Sequence, residues 1–320
     1  MTMRKALVTA AMSAAFLADP AGAQDMLKIA IGQINNWENQ APTLGQDEGI
    51  FKKHGLVIDA VGTQGAGETI QAVISGSADL GAGVGVAGAM RAFSKGAPVR
   101  ILLPAFTGTS DLYWYVKADS PIKALKDATE SNTIAYSTSG SSSNNIVVGF
   151  VQELGVKAKP TATGGPPGTL TAVMSGQIDI GWAAPPFGVR EIKEGKIRIL
   201  ARGSELPSLR GQTVRAIIVN ADALKIKKDA IMRFAQAYRE AADWMYSDPK
   251  AVEMYATKLN QPLELIKESI AEFHPQSAMQ TEEIKDLDGA VRDAVALKFL
   301  DAPLSKDQLA EFLQIPARGK

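Results

Sequence analysis

The stretch AVISGSADLG, residues Ala72–Gly81, recurs as AVMSGQIDIG at Ala172–Gly181, 100 residues further along the chain. In each copy an apolar helical segment ends at Ser-Gly, because glycine can adopt the left-handed conformation that a helix C-terminus requires. A short β segment follows each turn, over Ala78–Gly81 and Ile178–Gly181. Helix, tight turn and strand in this order form the second half of a β-α-β unit. The repeat therefore predicts two similar α/β lobes.

Apolar runs on either side of the repeat predict the remaining strands and helices. The predicted strands are Leu27–Ile31, Leu56–Val61, Val99–Phe106, Thr133–Ser137, Ala158–Thr163 and Ile197–Ala201, with Leu112–Val116 and Val214–Val219 crossing between the lobes. One helix is predicted over Ala41–His54. The last third of the chain has helical spacing, over Lys228–Ser247, Pro249–Leu259, Leu263–Phe273, Thr281–Leu300 and Lys306–Phe312. These segments predict a helical cover at the C-terminus.

Composition and charge exclude several classes of function. Lys plus Arg and Asp plus Glu both number 34, so no basic excess indicates nucleic-acid binding. Cysteine is absent, which excludes disulfides, thiolate catalysis and cysteine metal sites. No common hydrolase, metalloprotease or phosphate-binding motif occurs, and both histidines lie outside the candidate loops. We therefore expect no cofactor, no metal and no enzymatic activity.

The first 23 residues have the pattern of a cleavable secretion signal. Arg4 and Lys5 precede the short apolar segment Ala6–Ala18, and Ala21-Gly22-Ala23 offers a small-x-small cleavage site. The pattern predicts a mature chain that starts at Gln24, is released into the periplasm without a lipid anchor and does not insert into the membrane.

Ligands of parallel α/β sheets bind at the carboxyl ends of the strands, where loops and helix N-termini have free backbone groups. The candidate loops are Gln33–Trp37, Gly62–Gly67, Gly83–Gly88, Thr138–Asn145, Gly164–Gly168 and Ala183–Phe187. The serines and asparagines of Thr138–Asn145 precede a predicted helix and favour an anionic group there, although N-capping alone would need one of them. No arginine lies in a candidate loop, which argues against an inorganic ion such as nitrate or sulfate.

Aromatic residues in these loops have two open interpretations. Trp37 is expected to be exposed and to stack on a ligand, or else to pack the lobe; Phe187 has the same alternatives. Trp182 and the Tyr113–Tyr115 cluster are predicted to pack the second lobe. Asp79 and Asp179 look like a catalytic pair, but each follows a helix end at the start of a strand, so both are predicted to be structural.

The secretion signal, LKIAIGQ, the phrase QDEGIFKKHGL at Gln46–Leu56 and the SGSADLG pattern resemble the periplasmic substrate-binding proteins of ABC importers, of the nitrate/sulfonate/taurine and thiamine-pyrimidine-precursor type. The resemblance covers the mature chain. It implies the α/β type II periplasmic-binding-protein fold, with two lobes joined by two crossing segments. Lobe 1 would comprise residues 24–110 and 214–320, and lobe 2 residues 111–213. The fungal enzymes of this group carry a cysteine cluster that this chain lacks.

The resemblance implies a ligand site between the lobes. It would use Asn35, Asn36, Trp37, Gly65, Val84, Gly85, Thr107, Ser139, Ser141, Ser142, Asn144, Pro185 and Phe187. The implied function is capture of a small organic anion, a sulfonate or an aromatic carboxylate, by hinge closure. The expected partners are the ABC permease and ATPase, with the binding protein a monomer. A ligand-sensing protein for a membrane receptor and a thiamine-precursor enzyme remain as alternatives.

Overall fold

The computed structural model describes residues 24–318, so the predicted secretion signal lies outside the described residues. Its strands are β1 Asp25–Gly32, β2 Leu56–Thr63, β3 Leu80–Gly85, β4 Val99–Thr107, β5 Tyr113–Lys117, β6 Thr133–Tyr136, β7 Lys159–Ala162, β8 Gly181–Ala183, β9 Ile197–Arg202 and β10 Thr213–Asn220. Its helices are α1 Ala41–Asp47, α2 Ile50–Lys53, α3 Ala66–Ile74, α4 Val86–Ser94, α5 Ser142–Glu153, α6 Pro166–Met174, α7 Val189–Lys193, α8 Ala221–Ile226, α9 Lys228–Ser247, α10 Pro249–Leu259, α11 Leu263–Phe273, α12 Leu287–Ala296 and α13 Lys306–Phe312.

The two lobes repeat one sheet topology. In lobe 1 the strand order is β2-β1-β3-β10-β4, with β1 parallel to β2 and β3, and β10 antiparallel to both neighbours. In lobe 2, β6 and β7 are parallel, β5 is antiparallel to β8 and β9, and a parallel bridge joins Ile134 of β6 to Ile180 beside β8. The resulting order β7-β6-β8-β5-β9 places a crossing strand fourth in each sheet. This arrangement confirms the predicted two-lobe α/β fold, while the lobe boundaries stay a prediction.

The repeated stretch forms the same local structure in both lobes. The C-cap residues of helices α3 and α6 are Ser75 and Ser175, and the glycines that follow have φ of 73° and 80°. At the start of each helix, two threonine hydroxyls lie 2.6 Å apart, Thr63 with Thr69 in one lobe and Thr163 with Thr169 in the other. These hydroxyl pairs fix the loop that enters each helix. The predicted helix ends and the duplication are therefore confirmed.

Each of the two aspartates of the repeat hydrogen-bonds to a neighbouring strand of its own sheet. Asp79 Oδ2 accepts a hydrogen bond of 2.9 Å from the Lys28 backbone N–H, and Asp179 Oδ2 accepts one of 2.8 Å from the Thr133 backbone N–H. The Thr133 hydroxyl donates a second bond to Asp179 Oδ2, of 3.0 Å. Each carboxylate thus lies at the N-terminal end of its sheet, opposite the candidate loops, where it holds the first strand against the third.

Replacing Asp179 with alanine should lower the free energy of unfolding by about 1–3 kcal/mol, because hydrogen bonds to a charged group are lost. Ligand affinity should not change, since Asp179 lies at the far end of the sheet from the loops. Urea unfolding and calorimetry measure the two quantities, and a large loss of affinity at unchanged stability would contradict the structural role.

Most predicted segments are confirmed, with differences at their ends. The helices Lys228–Ser247, Pro249–Leu259, Leu263–Phe273 and Lys306–Phe312 have the predicted bounds. The predicted Ala41–His54 helix is broken at Gly49, whose φ is 84°. The predicted helix over Thr281–Leu300 forms only over α12. The loop predicted after the first repeat is instead the end of β3 and the first turn of α4. Across residues 24–318, no helix has both the length and the apolar composition needed to span a membrane.

Candidate ligand site between the lobes

A small polar cavity lies between the two sheets, and we call it the inner cavity. Its volume is about 20 Å³, which has room for one water molecule but not for an organic ligand. It is lined by Gly32, Gln33, Asn36, Glu38, Asn39, Gly65, Ala66, Gly83, Leu112, Ser137, Ser141, Ser142, Ser143, Trp182 and Arg215. Residues of both lobes contribute, so the lobes must separate before a larger molecule can enter.

Arg215 is the cation of the inner cavity. It lies in the crossing strand β10, and its residue is 3% exposed. Nη2 lies 2.6 Å from Asp111 Oδ2, and Nη1 donates a hydrogen bond of 3.0 Å to the Ser142 hydroxyl of lobe 2. The guanidinium also lies over the Phe106 ring, 4.6 Å from its centroid. Arg215 therefore joins both crossing segments to the start of α5.

A second buried pair lies beside the first. Glu38, 2% exposed, has its Oε2 3.1 Å from His274 Nε2, and His274 is 1% exposed. The Asn36 amide donates a hydrogen bond of 3.2 Å to Glu38 Oε1. His274 follows α11, so one residue of the predicted C-terminal helical cover contacts the site.

The pKa values of the two carboxyl groups shift in opposite directions. Burial raises the pKa of Asp111; Arg215 opposes this rise and the charge of Glu38 adds to it. Burial would also raise the pKa of Glu38, but the His274 hydrogen bond and the charges of Arg215 and His274 outweigh it and hold that pKa below its ordinary value. Glu38 is therefore the firmly ionised carboxylate of the site.

Several buried polar atoms at the inner cavity make no hydrogen bond within the described part of the chain. Among the cavity-lining side chains they are Asn36 Oδ1, Trp182 Nε1 and Arg215 Nε. Leaving such groups unpaired in a protein interior costs about 1–3 kcal/mol each. Two unpaired donors and one unpaired acceptor at one cavity indicate a site in which a polar ligand or water supplies the missing hydrogen bonds.

Two helix N-termini from opposite lobes face the same cavity. Helix α3 of lobe 1 starts at Ala66 after Gly65, which has no side-chain cap. Helix α5 of lobe 2 starts at Ser142, and the Ser141 hydroxyl accepts from the Asn144 backbone N–H. The first backbone N–H groups of a helix lack intrahelical partners and carry partial positive charge. Together with Arg215, they form a surface suited to an anion.

The lobes are in close contact next to this cavity. The Gly67 backbone N–H donates a hydrogen bond of 3.0 Å to the Thr138 hydroxyl of lobe 2. A Cβ at Gly88 of α4 would lie 2.2 Å from the Gly140 carbonyl oxygen, and one at Gly85 would lie 2.6 Å from it. Only glycine allows this approach. The structure therefore has its lobes closed.

The structure brings some predicted site residues together and separates the rest. Asn36, Gly65, Ser141 and Ser142 line the inner cavity. Asn35 and Phe187 line a separate cavity of about 370 Å³ at the edge of the cleft, with Pro166, Leu170, Arg190 and Leu259 among its other residues. The other predicted residues line neither cavity: Trp37, Val84, Gly85, Thr107, Ser139, Asn144 and Pro185.

Physical reasons explain these differences. Trp37 is 0% exposed and packs 5.1 Å from the Tyr255 ring, so the expectation of an exposed indole is wrong and the packing alternative is confirmed. Val84, also 0% exposed, belongs to the hydrophobic core of lobe 1. The Thr107 hydroxyl pairs with that of Thr213, 3.0 Å away. The Asn144 side chain accepts from the Gly140 backbone N–H, which stabilises the loop before α5.

Sequence reasoning missed the four charged residues Glu38, Asp111, Arg215 and His274. The absence of arginine from the loops did not exclude a cationic site, since Arg215 lies in the strand β10. The sequence did contain a signal for Arg215, because a single arginine interrupts the otherwise apolar segment VRAIIV. A charged residue in a buried strand requires a partner, and functional sites are where such residues occur.

The buried charges do not fit a metal ion. Side-chain ligand atoms of Glu38, Asp111 and His274 lie within 4.8 Å of one another, close enough to share a cation. However, the Arg215 guanidinium already pairs with Asp111, and His274 with Glu38. A metal would have to displace a permanent positive charge from the same cluster.

Comparison with known proteins gives the family and the fold. The family model described as NMT1/THI5 like matches residues 39–252, more than half of the chain. No curated protein is similar enough in sequence to count as a relative. The alkanesulfonate-binding protein SsuA of Xanthomonas axonopodis pv. citri, solved bound to MOPS, is 16% identical with a TM-score of 0.75, over 92% of this chain and 100% of that one.

Two further solved structures support the same fold. The periplasmic nitrate-binding protein NrtA of Synechocystis PCC 6803 is 15% identical with a TM-score of 0.68, over 90% of this chain and 85% of that one. The CA3427 gene product of Candida albicans, described as having the generic periplasmic binding protein fold, is 16% identical with a TM-score of 0.70, over 92% of this chain and 98% of that one.

Proposed function

Because this chain belongs to the NMT1/THI5-like family, we propose that it is the solute-binding component of an ABC uptake transporter and captures a small organic anion between its lobes. The proposed location is the periplasm, after removal of the predicted signal. The proposed partners are a membrane permease and its ATPase, with the binding protein acting as a monomer. The binding proteins of similar fold, for alkanesulfonates and for nitrate, support this role.

One observation carries the anion assignment. Arg215 meets the N-termini of α3 and α5 at a cavity between the lobes, and its Nε has no hydrogen-bond partner there within the described residues. An anion at this place would accept bonds from Arg215, from the Trp182 indole and from backbone N–H groups. Since the donors come from both lobes, such a ligand binds the closed form better than the open form.

This difference in affinity is the basis of the mechanism. A ligand shifts an equilibrium between open and closed forms only by its differential affinity for the two. Contacts to both lobes supply that difference, and the closed form presents a fixed surface to a permease. The crossing segments act as the hinge, where the Asp111–Arg215 pair and the Thr107–Thr213 hydroxyl contact join them.

Binding without turnover is the proposed role of the site. The only two histidines are committed to carboxylate partners, His54 to Glu240 at 2.8 Å and His274 to Glu38 at 3.1 Å. Cysteine, which the fungal enzymes of the resemblance carry, does not occur. Incubation with each ligand that binds, followed by mass spectrometry of the small molecule, would contradict this role if a product appeared.

A thermal-shift screen of residues 24–320 tests the proposal. Organic sulfonates and aromatic carboxylates should raise the Tm, since ligand at 100 times its Kd stabilises the folded form by about 2.7 kcal/mol. Nitrate, pyrimidines and amines are the comparison set. A rise in Tm confined to cationic ligands would contradict the anion assignment.

A further inference from the structure

The inner cavity lies next to a cluster of four buried ionisable groups. They comprise two carboxyls, Glu38 and Asp111, one guanidinium, Arg215, and one imidazole, His274. Arg215 is the one permanent cation among the four, against two carboxyls. An anionic ligand beside Arg215 would add further negative charge. A buried charge without a partner is strongly unfavourable, and a group in that position changes its protonation instead.

One carboxylate oxygen of the cluster is free to carry a proton. Asp111 Oδ1 is buried and makes no hydrogen bond within the described residues. Asp111 Oδ2 is already beside Arg215. A proton on Oδ1 therefore breaks no existing contact.

We propose that Asp111 takes up a proton when an anionic solute binds, so that it sets the pH range in which the protein captures its ligand. This inference rests on the proposed function, because it requires an anion beside Arg215. Asp111 does not line the inner cavity and acts through Arg215, which does. It is a positioning residue whose charge determines how readily an anion is accepted.

The neighbouring groups leave Asp111 as the proton acceptor. The raised pKa of Asp111 and the lowered pKa of Glu38 place the extra proton on Asp111 before Glu38. The surrounding α9 and α10 helices bring Tyr238, Tyr246 and Tyr255 near Glu38, and burial raises the pKa of each phenol, so they stay neutral. Lobe 2 contributes serines and Trp182 to the cavity wall and no ionisable side chain.

Calorimetry with ethanesulfonate from pH 5.5 to 8.5 tests the proposal, since the charge of this probe is constant over that range. The affinity should rise as the pH falls, by up to about tenfold per pH unit for each proton taken up. Titrations at one pH in Bis-Tris and in Tris, cationic buffers that differ in ionisation heat, should give different apparent enthalpies that correspond to uptake of about one proton.

Two variants assign the proton. Asp111→Asn should abolish the uptake and flatten the pH dependence, whereas Asp59→Asn, at an exposed carboxylate of β2, should match the wild type. If Asp111→Asn does not fold, the wild-type titrations in the two buffers still decide whether a proton is taken up. Tight binding of ethanesulfonate with no proton uptake would overturn the inference and leave the proposed function intact. Failure of all sulfonates and carboxylates to bind at any pH would overturn both.

Discussion

Replacing Arg215 with methionine should abolish binding of organic anions and lower the free energy of unfolding by about 3–5 kcal/mol. Binding fails because, among the described residues that line the inner cavity, the Arg215 guanidinium is the only permanent positive charge. Stability falls because Asp111, at 0% exposure, loses the cation that lies 2.6 Å from its Oδ2. Calorimetry with the best ligand of the thermal-shift screen measures the first effect, and urea unfolding measures the second.

A double variant separates these two effects. Arg215→Met combined with Asp111→Asn removes both charges, and replacing both partners of a buried pair costs far less than removing one. We expect the double variant to recover most of the lost stability and none of the binding. If it also regained affinity, the anion would bind elsewhere. If it stayed as unstable as the single variant, the unpaired carboxylate would not be the cause of the instability.

Ser142→Ala is the milder test of the same contact. It removes one hydrogen bond of 3.0 Å between Arg215 and α5 while leaving every charge in place. The N-cap hydroxyl of Ser141 also remains, so α5 should keep its start. We expect a loss of affinity of about 1 kcal/mol with little change in stability. A loss as complete as that of Arg215→Met would contradict the central role of the guanidinium.

The fold was predictable because its signals are local. A helix that ends at Ser-Gly, a turn and an aspartate occur in the same order in both lobes, and each is determined by residues within a few positions. Long-range packing was not predictable in this way. Trp37 lies in a loop by sequence, but its ring packs against Tyr246 and Tyr255, more than 200 residues later in the chain.

The location of the site was predictable from the sequence, but its charged residues were not. The loops at the carboxyl ends of the strands do meet, and Asn36, Gly65 and Ser142 are among the residues they bring together. The charges come from elsewhere: Arg215 from a crossing strand and His274 from the residue after α11. Sequence spacing does not reveal that segments so far apart share one cavity, because only the packing of the two sheets and the C-terminal helices makes them neighbours.

Replacing Gly88 with alanine should weaken ligand binding without destabilising the fold. In the closed form the added Cβ would lie 2.2 Å from the Gly140 carbonyl oxygen of the opposite lobe, so the lobes cannot close fully. Overpacking of this kind costs about 1–3 kcal/mol, which corresponds to roughly 5- to 150-fold in affinity. The fold itself should become slightly more stable, because alanine is favoured over glycine in a helix by up to about 1 kcal/mol.

Gly168→Ala is the matched control for this prediction. Gly168 also lies in the first turn of a helix, α6, but a Cβ there would meet only the Thr163 carbonyl oxygen of its own lobe, at an ordinary 3.6 Å. Its affinity should equal that of the wild type. Small-angle X-ray scattering with saturating ligand should show compaction for the wild type and Gly168→Ala and less for Gly88→Ala. Full compaction and unchanged affinity in Gly88→Ala would mean that binding does not require the Gly88–Gly140 contact, and the closed arrangement would then not be the ligand-bound one.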